Sequence, residues 1–80
     1  MHERRVMEDL VGAVERIADG SRPVGLRVRL GALSHFTPEH FVEHLQDTPL
    51  AGVEVEFGDP LPPTDPRSQS VLLESVRVES

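Results

Sequence analysis

The chain has 80 residues, a formal net charge of −6 and no cysteine. That length implies a single domain, 1–80, burying about 60% of its unfolded surface, and the missing thiols exclude a disulfide framework or a thiolate metal cage. Acidity, with three Phe and no Trp or Tyr, excludes a nucleic-acid grip built on a basic stripe and stacked bases.

No apolar run is long enough to cross a bilayer. The N-terminus is charged from residue 3 onward and has no apolar h-region, so it does not read as a signal peptide. A soluble, cytoplasmic protein with no nucleic acid and no membrane among its partners is expected.

Residues 4–19 predict an amphipathic helix. Val6, Leu10, Ala13, Val14 and Ile17 recur at helical spacing, and Met7, Val11 and Ala18 widen the stripe. Gly20, Ser21 and Pro23 end it, with Gly suited to a left-handed C′ position. Residues 24–30 alternate as a strand, Val24, Leu26, Val28 and Leu30 on one face and Gly25, Arg27 and Arg29 on the other.

A second helix begins near Thr37, a good N-cap followed by Pro38 at N1, and stops near Asp47. Phe36 and Phe41 have the spacing of a hydrophobic staple, and Phe41, Val42 and Leu45 form the inward stripe. Residues 52–57 predict a strand with Val53, Val55 and Phe57 inward. Residues 58–70, with Pro60, Pro62, Pro63 and Pro66, predict a proline-rich loop. In the last strand, 71–79, Leu72, Val76 and Val78 share a face that Glu74 interrupts. The order α-β-α-β-β predicts an α+β two-layer sandwich, two helices on one face of a three-stranded sheet. The open face would carry Arg27, Arg29, Glu54, Glu56 and Arg77, pairing across strands.

Two motifs carry metal chemistry. Met1-His2-Glu3 places an imidazole beside the α-amine. The amine, the deprotonated amide nitrogen between them and the imidazole can wrap one ion, a nitrogen-rich planar set that suits Ni(II) or Cu(II). Glu3 can add a carboxylate or hold the imidazole from behind. His40-Phe-Val-Glu43-His44 matches H-x-x-E-H, an inverted zinc-protease pattern. That reading needs a distant third ligand and a cleft, so a surface metal site fits so short a chain better. No phosphate-cradling glycine loop and no nucleophile in a nameable context is present.

Taken together, these segments resemble the HypA family, nickel-insertion proteins of hydrogenase and urease maturation. The resemblance rests on Met1-His2-Glu3, on Leu30-Gly31-Ala32-Leu33-Ser34 leading to Pro38-Glu39, on Thr48–Gly52 before Val53-Glu54-Val55-Glu56, and on Ser75-Val76-Arg77-Val78-Glu79. It covers about residues 1–57 and 71–79. It implies a mixed three-stranded sheet and Ni(II) held by Met1, His2 and Glu3. Delivery would be to a hydrogenase-maturation GTPase or a hydrogenase large subunit, without enzymatic activity. The family's zinc domain has only residues 58–70 in its place, so no structural zinc is expected. The second helix is about one turn, roughly four residues, short. Arg4 and Arg5 would weaken the dication site by repulsion. A degenerate interaction module or adaptor with weak or no metal binding is the alternative, and an exposed sheet edge leaves a homodimer open.

Overall fold

The structure is a computed structural model and describes residues 2–79. The element order is α-β-α-β-β: α1 (His2–Ala18), β1 (Pro23–Leu30), α2 (Pro38–Leu45), β2 (Glu54–Phe57) and β3 (Val71–Val78). The sheet is mixed, with strand order β2-β1-β3. β1 runs parallel to β2, reached through the α2 crossover, and antiparallel to β3. Met7, Leu10 and Val14 of α1 and Phe41 and Leu45 of α2 join Leu26, Val28 and Leu30 of β1 in one core. Both helices therefore cover the same sheet face, giving the two layers expected.

Helix α1 buries Met7, Leu10, Val14 and Ala18, a ridge at helical spacing. Its end is as the sequence predicts: Asp19 and Gly20 take positive φ (47° and 88°), and Ser21 N–H donates to the Ala18 carbonyl at 2.9 Å. Ile17 is a correction. It is 59% exposed, because it lies at the margin of the stripe in the last turn, where Ala18 takes the inward position.

The start of α2 follows its local signals. Thr37 Oγ1 accepts from the His40 N–H at 3.1 Å, and Pro38 occupies the first turn. The staple forms edge to face, Phe36 and Phe41 having centroids 5.8 Å apart and an interplanar angle of 84°. Val42, expected inward, is exposed, since Phe41 and Leu45 fill the narrow face of this short helix. Thr37→Ala should cost about 1 kcal/mol, read as a lower urea midpoint with an unchanged slope. No change would show that the Pro38 start suffices without the cap.

Two irregularities set the sheet's faces. Arg27 pairs with Ser75 and Val28 with Leu73, so Glu74 is an extra residue in β3, a β-bulge. It inverts the alternation. Val71 and Leu73 share the core face with Val76, while Leu72 pairs with Arg29 toward the opposite face. The expected set of Leu72, Val76 and Val78 is thus corrected, and Val78 is exposed at the strand end. A second shift leaves Val24 unpaired between Pro23 and Gly25.

On the open face two expected ion pairs form, Arg77 Nη2 to Glu54 Oε1 at 2.7 Å and Arg27 to Glu56 at 3.8 Å, and Glu74, expected to interrupt the inward face, instead meets Arg27 at 3.3 Å. Arg77 reaches Glu54 across Gly25, where a Cβ would stand 2.6 Å from the guanidinium. Exposed pairs of this kind contribute about 0–1 kcal/mol each.

Residues 58–70 are docked against the body of the domain. Leu61 is fully buried and Ser68 nearly so. Leu61 N–H donates to the Leu30 carbonyl and Ala32 N–H to the Leu61 carbonyl, both at 2.9 Å. Leu33 N–H donates to Ser68 at 2.8 Å, and Gly31 N–H to Ser70 at 2.9 Å. Asp65 anchors a turn by accepting from the Arg67 N–H at 2.7 Å. The Arg67 side chain, hydrogen-bonded to it, holds the Asp65 carboxyl below its ordinary range. No described helix is long and apolar enough to cross a membrane.

Candidate metal centre

Of the sequence-predicted site residues, His2 and Glu3 open α1. Met1 is outside the described residues, as is the side chain of His2. Glu3 is half-buried in the first turn of α1. Its carboxyl is held down to about 2, chiefly by the positively charged α-amino group of the chain and then by a backbone N–H. The His44 imidazole adds a smaller pull. Glu3 is therefore an anionic oxygen donor throughout the neutral range, the form a cation needs.

That influence of His44 reflects how the fold is assembled. A groove of about 740 Å³ separates the N-terminal half of α1 from the end of α2, and Glu3, Glu8, Glu15, His44 and Asp47 all line it. Met7 and Val11 supply apolar lining. The groove is thus acidic at its rim. Arg4, the cation expected to oppose a metal ion, also lines it but pairs with Glu8 at 3.4 Å, one turn along α1, which offsets part of its charge.

The second motif splits. His40 and His44 are both half-buried and come together, Nε2 to Nε2, at 3.0 Å, with ring centroids 4.5 Å apart. Phe36 stands beside both, at 5.8 and 5.7 Å. Glu43 is exposed, and its side chain has no hydrogen bond or ion pair among the described residues. A protease-like base between two histidines is not assembled. His35 is exposed on the preceding turn with a left-handed backbone (φ 67°). Among the described residues, no group of three or more His, Asp or Glu gathers closely enough to hold a metal ion.

Sequence reasoning anticipated the i, i+4 histidines but not the link of His44 to Glu3. The signal was available only in part. Periodicity places each residue on its own helix, whereas the meeting of α1 with the end of α2 depends on the crossover between β1 and β2.

No family model, curated protein or solved structure matches this chain. The chemistry of the groove and the element order therefore carry the functional reading.

Proposed function

We propose that this domain is a small nickel-handling protein that binds one Ni(II) through the Met1 amine, His2 and Glu3 and passes it on during hydrogenase or urease maturation. The recipient would be a maturation GTPase or a hydrogenase large subunit, the setting cytoplasmic, and the ion a cargo rather than a catalyst. The observation that carries this reading is the placement of Glu3: a charged carboxylate on the first turn of α1, sharing a groove with the His44 imidazole of α2. The α-β-α-β-β order with a mixed sheet, expected from the resemblance to HypA proteins, supports it. So does the Arg4–Glu8 pair, which relieves part of the repulsion that two arginines would exert.

The test is a calorimetric Ni(II) titration of the untagged chain beside His2→Ala and beside a chain extended before Met1. Extension converts the α-amine into an amide and removes one nitrogen donor. High-affinity binding of one ion should be lost in both. If either still binds nickel as tightly as the native chain, the ligand set is wrong.

The groove itself favours a second reading. An acidic rim over apolar residues, open between two helices, suits an interaction module that binds a partner with weak or no metal. Under that reading His2→Ala leaves partner binding untouched, while charge reversal at Glu8 and Glu15 weakens it.

A further inference from the structure

We infer that His40 and His44 form a second transition-metal site on α2, separate from the N-terminal ligands. Residues four apart share one helix face, and here that face is fixed from three sides. The Thr37 cap sets the start of the helix. Phe41 and Leu45, each the next residue along, anchor the adjoining face in the core. The Phe36 ring meets both imidazoles, at interplanar angles of 52° and 86°, and so restricts their rotation. The imidazoles are thereby held toward each other before any ion arrives, which lowers the ordering cost of chelation.

The separation fits a metal. Two imidazole nitrogens bound about 2.1 Å from one ion lie about 3.0 Å apart when cis at a right angle and about 3.4 Å apart at a tetrahedral angle. Nε2 to Nε2 is 3.0 Å, the span of a hydrogen bond, so small ring rotations bring both lone pairs onto one ion, and two imidazoles suit Ni(II), Cu(II) and Zn(II) alike. Without an ion, one ring donates its N–H to the other, using one lone pair of the two. A bound cation uses both. Two nitrogens alone leave the remaining positions to water, giving a labile site, and one of its two ligands, His44, also lines the groove that Glu3 lines. Such a site suits transient holding of an ion better than permanent storage.

The experiment uses the full chain with an N-terminal extension, so the α-amine ligand is already removed. Ni(II) alone is titrated, with calorimetry for stoichiometry and NMR of the histidine ring protons for location. One equivalent is expected, with His40 and His44 resonances broadened and those of His35 unaffected. His40→Ala with His44→Ala should abolish binding, and His44→Asn alone should weaken it at least about tenfold, as losing one arm of a chelate does. Alanine favours helix, and circular dichroism checks that the variants fold. If the extended chain binds no nickel, or the double variant binds it unchanged, the site is overturned. Loss of nickel in the extended chain together with His2-dependent binding in the native chain would overturn this site alone and leave the N-terminal one standing.

Discussion

Phe41→Ala is expected to remove a large part of the protein's stability. Phe41 is fully buried, and its ring meets two others edge to face: Phe36 before its own helix and Phe57 at the end of β2, each at 5.8 Å. It ties the helix start, the crossover and the parallel strand into one cluster. Truncating a buried Phe costs about 3–5 kcal/mol, through lost burial and the cavity left behind. For 80 residues, total stability at ~0.05–0.15 kcal/mol per residue comes to about 4–12 kcal/mol. One truncation thus removes about a quarter or more of it. Urea unfolding followed by circular dichroism should show the midpoint falling steeply, with Phe41→Leu much milder. A midpoint within error of the parent would mean that α2 is packed differently.

Gly31→Ala is the second large effect, and it comes from backbone. A Cβ at Gly31 would stand 2.1 Å from the Ser68 carbonyl oxygen and 2.7 Å from that of Ser70. Neither is a flexible side-chain tip. Accepting the methyl means pulling the 58–70 segment away, with loss of the Gly31–Ser70, Ala32–Leu61 and Leu33–Ser68 hydrogen bonds and exposure of Leu61. Overpacking costs about 1–3 kcal/mol and occasionally more, and the upper end applies where backbone meets backbone. The expected result is a loss of about 3 kcal/mol, with protease nicking confined to residues 58–70. Equal protease resistance in parent and variant would show that the segment is not held through Gly31.

Those two residues mark how far the sequence could be read. Phe41 was legible because its signals are local: a cap at Thr37, a proline at N1 and a ring at N′ together specify which way the helix faces. The alternation of Val53, Val55 and Phe57 was legible for the same reason, although β2 begins two residues later than expected, at Glu54. Docking of 58–70 was not legible. Four prolines read as an unpaired linker, and nothing near Leu61 reveals that Leu30 and Ala32 supply its hydrogen-bond partners. The Glu74 bulge was visible only as an interruption; which residues then turned inward depended on pairing with β1. At the candidate metal centre the ligand types were readable, while the groove that joins Glu3 to His44 arises from the crossover.

The central position of β1 has a consequence for how quickly the domain can form. Both strands that flank it come later in the chain, and the contact of Leu30 with Val71 spans the α2 crossover, β2 and the proline-rich segment. Local closure of α2 onto Phe36 can occur early, but the sheet stays open along one edge of β1 until β3 arrives. Such non-local closure slows folding relative to a helical protein of the same size. It also means that a nascent chain emerging from the ribosome carries an unsealed apolar strand until β3 is free, a period in which pairing with another chain competes with its own completion.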